Sequence, residues 1–193
     1  VKTGDAFYGE NASEFNDAMD IWIPITALYE TQQEFFNDKK AGGDDLWLYT
    51  AGYPGELYLN RFIDTQLYKS ELLSWYCFKN GANGYLHWGL MEWYVWEDFD
   101  NDDTTVGSHN LKYNGDSWCI YPDKENMSVI SSIRIEALRE AAEDYELLAL
   151  LAAKDKNAAT ELVNAMITDG TNYETNIYKI SSLREQLLEE LTK

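Results

Sequence analysis

Residues 72–96 read LLSWYCFKNGANGYLHWGLMEWYVW and leave the chain few folds to choose from. A helix rich in apolar and aromatic residues stops at Lys79-Asn80-Gly81. After a short turn, Gly84-Tyr85-Leu86-His87-Trp88 runs as a short buried strand. Gly89 then opens a loop carrying Trp93, Tyr94 and Trp96. Helix, tight turn, apolar strand and aromatic loop follow one another in an α/β layer fold. Such folds bind ligands where their strands end. Flat rings at that edge suit the C–H faces of a sugar, while polar neighbours read its hydroxyls. Trp75 and Phe78 read as core; Trp88 and Trp93 fit a core or a site equally well.

The preceding residues repeat this order. Residues 20–24 form a first strand, ended by Pro24, and residues 27–39 an amphipathic helix closed by Ala41-Gly42-Gly43. Residues 45–50 are a second strand, followed by a loop with Gly52, Pro54 and Gly55 and a helix over 60–80. The resulting β-α-β-α-β order, with nearly continuous apolar strands, marks parallel strands buried on both faces. Residues 4–9 read as loop and 13–17 as a helical turn. Residues 89–126 read as a long acidic and aromatic loop. Its Asp98, Asp100, Asp102 and Asp103 lack the later glycine and glutamate of a calcium loop, so the run reads as solvated. After Ser131 the chain becomes helical. Ile133, Leu138, Ala142, Tyr145 and Leu148 form its apolar stripe, while Arg134, Glu136, Arg139 and Glu143 cover the other face. Those charges, with Asp144, read as a structural ion-pair network. Two more helices are expected over 158–168 and 176–191.

Composition narrows the function. With 15 Lys and Arg against 34 Asp and Glu, the net charge is −19, which argues against nucleic acid and anionic membrane as partners. No apolar run reaches transmembrane length. Cys77 and Cys119 match no metal spacing; they permit one disulfide without requiring it. No metal or other cofactor is expected. His87 and His109 are the only histidines: His87 reads as a packed, structural residue, and Gly107-Ser108-His109 lacks the strand-to-helix setting of a nucleophile elbow. The opening Val1-Lys2-Thr3-Gly4 reads as a truncation of a longer protein.

The motifs Asp20-Ile21-Trp22-Ile23-Pro24, Leu46-Trp47-Leu48-Tyr49, Arg61, and Trp75 ahead of Gly84-Tyr85-Leu86-His87-Trp88 together resemble the carboxyl-terminal half of glycoside hydrolase family 123 catalytic domains. So do Gly115-Asp116, Tyr121-Pro122, the run from Ser132 to Arg139, and Glu143-Asp144-Tyr145-Glu146. The family tends to carry glycines where this chain has Ser117 and Asp123. The resemblance implies an α/β fold made of the last three β/α units of a (β/α)8 barrel, over residues 1–153, with a helical extension over 154–193. It also implies a secreted, periplasmic or cell-surface parent acting on terminal β-linked N-acetylgalactosamine.

In such enzymes the 2-acetamido group attacks the anomeric carbon, an Asp steers it, and an adjacent Glu is general acid and base. No adjacent Asp-Glu pair occurs in this chain, so no catalytic residue is assigned here and the isolated chain is expected to be inactive. Glu92 and Asp116 are the places to look if it is not. The expected contribution is aromatic pocket walls: Trp22, Trp47, Tyr49, Trp88 and Trp93, with Tyr49 donating to the acetamido carbonyl. The partners implied are a glycan and either a second copy or the amino-terminal half of the barrel. A carbohydrate-binding module without catalysis and a purely structural domain are the rival readings.

Overall fold

A computed structural model of the chain describes residues 1–15, 18–91, 115, 116 and 118–193. The strands β2 (Ile21–Pro24), β3 (Asp45–Tyr49) and β4 (Gly84–Leu86) lie side by side, parallel and in chain order. A further strand, β1 (Gly4–Phe7), precedes them and pairs parallel with β2, bringing Gly4 opposite Ile21 and Phe7 opposite Pro24. The sequence reading has a loop there. Gly4, Asp5 and Ala6 are poor strand formers, and the pairing is set from outside the segment. Thr3 carbonyl accepts from the amides of Asp20 and Ile21, and Asp20 Oδ2 accepts from Thr3 N at 2.7 Å. The edge of β2 is therefore covered by the chain's own β1.

The connection from β1 to β2 is a 3-10 turn over Glu10–Phe15. Between β2 and β3 the expected single helix is two, α1 (Thr26–Thr31) and α2 (Gln33–Ala41), broken at Gln32 (φ −129°, ψ 33°). Thr31 Oγ1 turns back onto the carbonyl of Leu28 at 2.9 Å, a bond that competes with the helical ladder. Helix α3 (Tyr68–Asn80) starts later than the apolar pattern suggests, because residues 51–67 follow an irregular path. It ends in Gly81 at φ +63°, with Gly81 N bonded to Phe78 O and Ala82 N to Cys77 O. That pair of bonds is a Schellman cap, which suits glycine in the left-handed region.

A short antiparallel hairpin, β5 (Tyr121–Asp123) and β6 (Ser128–Ile130), begins within the stretch read as loop and ends beyond it. Then come α4 (Ile133–Lys154), α5 (Lys156–Met166) and α6 (Ile177–Thr192), capped by Ser132, Asp155 and Asn176 respectively. One apolar core joins the sheet to all the helices, from Trp22 and Leu48 through Leu72 and Trp75 to Leu148, Val163, Ile180 and Leu187. Among the described residues no helix is long and apolar enough to cross a membrane.

The charged residues of α4 divide between two faces. Arg139 lies on the surface with Glu136 (3.1 Å) and Glu143 (2.5 Å), as the spacing predicts. Arg134 instead turns inward and is buried. Its guanidinium donates to the carbonyls of Arg61, Gly115 and Trp118, since a planar fork of five N–H groups can serve several acceptors together. Asp144 is also buried, accepting from Trp75 Nε1 at 2.9 Å and pairing with Arg184 of α6.

Candidate functional site

Residues paired in register across parallel strands share a face. On β3, Leu46 and Leu48 are fully buried toward the helices, so Trp47 and Tyr49 lie on the opposite face. Trp22 pairs with Leu46 and so belongs to the helix side. Its indole stacks on Phe7 (5.3 Å, 24°), meets Phe35 edge-on at 5.3 Å, and donates from Nε1 to Asp44 Oδ2 at 2.9 Å. Only 1% of it is exposed. As placed, Trp22 holds α2 against the sheet and shows a ligand no free ring face. The sequence could not separate the two faces, because strands buried on both sides lose their alternation.

Trp47 and Tyr49 share the other face, two residues apart, and Tyr49 stands at the carboxyl end of β3. Trp47 lies over Gly84 of β4. Tyr49 is 7% exposed, and burial, with smaller contributions from Tyr8 and Asp5, pushes its phenol up to about 12. It therefore keeps its proton and can donate at any physiological pH. Trp88 follows β4, is 41% exposed and stacks beside His87 at 6.1 Å. Trp93 and Glu92 lie outside the described residues.

Two further exposed rings stand at these strand ends. Tyr8 directly follows β1, and Tyr53 is in the loop after β3; they are 64% and 44% exposed and meet edge-on at 5.6 Å. The sequence reading missed both. Tyr8 follows a strand that propensity hides. Tyr53 sits in a Gly- and Pro-rich loop, where only its neighbour Pro54 hinted at a defined shape.

Beneath the rings of β3 and β4 runs a buried polar network. Arg61, fully buried, donates from Nη1 to Thr50 Oγ1 (2.8 Å) and from Nη2 to Asp116 Oδ1 (2.8 Å). Thr50 Oγ1 in turn is 2.6 Å from Tyr85 Oη. Asp116 thus opposes the Arg61 charge and joins the segment before β5 to the end of β3. His87 accepts from Gly89 N at Nδ1 (2.9 Å), which leaves the Nε2 proton to face Cys119 Sγ at 3.2 Å. Burial, then the positive charges of Arg61 and Arg134, lower its pKa to about 3. His87 thus lies just past the end of β4, neutral and bonded through both ring nitrogens. Cys77 and Cys119 are both free, buried thiols, raised above their ordinary pKa by burial.

No group of His, Cys, Asp and Glu suited to a metal ion occurs among the described residues. A cavity of about 340 Å³ lies on the helix side of β4, between Leu73 and Cys77 of α3 and Leu138 and Tyr145 of α4. Its lining includes Tyr85 and His87 but none of Trp47, Tyr49 and Trp88.

A family model described as "Glycoside hydrolase 123, catalytic domain" matches residues 2–151. The fold is similar to that of a family 123 glycoside hydrolase from Clostridium perfringens, solved to examine glycolipid glycan hydrolysis. The TM-score is 0.63 at 18% identity, over 100% of this chain and 34% of that one. The chain therefore spans about a third of the length of that structure. No curated protein matches.

Proposed function

Because the chain belongs to the glycoside hydrolase 123 catalytic-domain family, we propose that it is the carboxyl-terminal part of a (β/α)8 barrel that removes terminal β-linked N-acetylgalactosamine. The observation that carries this reading is Tyr49: a buried phenol that keeps its proton, at a parallel strand's carboxyl end and near exposed rings. Ligands of such sheets bind at those ends.

In the proposed reaction the acetamido oxygen of the substrate attacks C1. The bond from C1 to the leaving oxygen breaks, and a general acid protonates that oxygen. Water activated by the same residue then adds to C1, reopening the cyclic intermediate with retained configuration. Tyr49 donates to the acetamido oxygen and fixes its approach, a gain from orientation rather than from proton transfer. Trp47 and Trp88 form walls around the sugar, while Trp22 holds α2 against the other face of the sheet. The acid pair lies outside this chain, in line with its lack of any adjacent Asp-Glu.

Residues 1–153 act as the barrel segment in this reading and residues 154–193 as a helical extension packed on it. The outer edges of β1 and β4 receive the remaining barrel strands or a second copy of the chain. By family resemblance the parent protein is secreted, periplasmic or held at the cell surface, with a glycan as its partner and no nucleic acid. A module that binds N-acetylgalactosamine without cleaving it is the second reading, favoured by the same lack of an Asp-Glu pair.

The two readings separate in one assay. The full-length protein should release nitrophenol from a β-N-acetylgalactosaminide, and the isolated 193 residues should not. A full-length protein that binds the sugar without turnover supports the module. Enzyme-like turnover by the isolated chain would move the acid into it, with Asp116 and Glu92 tested first.

A further inference from the structure

Tyr8 and Tyr53 are both exposed, and their rings touch although they come from segments far apart in the chain. Each ring leaves a large part of its surface in water, and the two meet at 64° to form an open corner. The loop that carries Tyr53 is nonetheless firmly placed. Asn60, 1% exposed, donates through Nδ2 to the carbonyls of Ala51 (3.0 Å) and Pro54 (2.8 Å), and Ala51 N donates to Tyr53 O at 2.9 Å. A buried amide that satisfies two loop carbonyls fixes the backbone on either side of Tyr53, whose ring is 44% exposed. Tyr8 is held from the other side, since β1 is paired along its length with β2 and Ile25 N donates to Phe7 O at 2.9 Å. Two exposed rings, from the ends of non-adjacent strands, are thus preorganised against one another.

A corner of this shape suits a pyranose. The C–H face of the sugar lies on one ring, the second ring closes its edge, and both phenol hydroxyls reach its ring oxygens and hydroxyls. Its place in the reaction follows from depth. Tyr49 is buried where Tyr8 and Tyr53 are exposed. Tyr8 is also near enough to Tyr49 to act on its ionisation. A terminal sugar whose acetamido group reaches Tyr49 therefore leaves its aglycone directed outward, toward the rim.

We infer that Tyr8 and Tyr53 form the platform for the sugar on the leaving-group side, which makes them specificity determinants for an oligosaccharide aglycone. This rests on the glycosidase reading of the same site. The mechanism needs neither ring for the attack on C1, so their contribution should appear only when a second sugar is present.

The test compares two substrates of the full-length protein: β-N-acetylgalactosaminyl fluoride, whose leaving group has no ring, and a disaccharide with a terminal β-linked N-acetylgalactosamine. Tyr8→Ala and Tyr53→Ala should each lower kcat/KM on the disaccharide roughly 3- to 10-fold, mainly through KM, the scale of one lost ring contact. On the fluoride both variants should match the parent. Tyr8→Phe and Tyr53→Phe, which keep the ring, should recover most of the loss. Equal losses on both substrates, or an unchanged disaccharide reaction, would overturn the platform while leaving the glycosidase reading intact. A parent protein that cleaves neither substrate would overturn that reading and the platform with it.

Discussion

The indole of Trp47 lies across Gly84 on the neighbouring strand, so close that a Cβ on Gly84 would come within 2.4 Å of the ring. The two residues face each other in the parallel register, and the missing side chain of one is the space the other occupies. A strand glycine usually weakens a sheet; here it is what lets a large ring lie flat on the sheet face.

Gly84→Ala should therefore destabilise the protein by about 1–3 kcal/mol, the usual cost of forcing extra atoms into a filled space. Denaturant unfolding would measure it. With Trp47→Val added, the combined loss should be smaller than the sum of the two single losses, because the two positions share one contact. Additive losses in the double variant would show that the ring is not the obstacle.

Replacing Tyr49 by Phe keeps the ring and removes a single donor. On nitrophenyl β-N-acetylgalactosaminide, kcat of the full-length protein should fall roughly 3- to 10-fold, the worth of about one net hydrogen bond. An unchanged kcat would take Tyr49 away from the acetamido group.

Asp116→Asn keeps the shape of the side chain but leaves the Arg61 guanidinium, fully buried, without the charge that faces it at 2.8 Å. Breaking a buried pair in this way costs about 3–5 kcal/mol. The melting temperature should drop accordingly, and a variant as stable as the parent would show that the neighbouring oxygens alone can hold Arg61.

The pKa of His87 sets a pH dependence of stability. Its folded pKa, about 3, is below the ordinary 6.5. As pH falls below 6.5 the unfolded chain takes up a proton that the folded protein refuses until near pH 3. Stability is lost across that window, by up to about 1.4 kcal/mol per pH unit from this one group. His87→Gln should flatten the profile between pH 6.5 and 4. Parallel profiles for parent and variant would place the loss in the carboxylates instead.

Strands β2, β3 and β4 were legible because each is a short apolar run bounded by Gly, Pro or Asn, and their parallel order follows from the helices between them. Strand β1 was not, since Thr3 and Asp20 set its pairing from outside its own residues. The face of Trp22 was hidden for a different reason: both sides of a buried parallel strand are apolar, so the pattern carries no direction. Arg134 looked like a surface charge because its partners are backbone carbonyls, which no sequence pattern displays. Tyr49 and Trp88 could be placed at strand ends from spacing alone. Tyr8, Tyr53 and the Arg61 network needed the fold, because each depends on segments far apart in the chain.

Asp144 has a consequence for where this protein can be cut. The stretch that carries the family likeness stops at residue 151. Asp144 lies within that stretch, 2% exposed, yet its counter-charge, Arg184, comes from α6. A piece trimmed to the recognisable part would keep the carboxylate beneath α3 with only the Trp75 N–H to hold it. Tyr76 and Glu30 would remain bonded to each other, but Glu30 would lose Gly170 N. Helix α6 and the loop before it act as the electrical closure of a core that the family likeness leaves them out of, and deletion studies should count them as part of it.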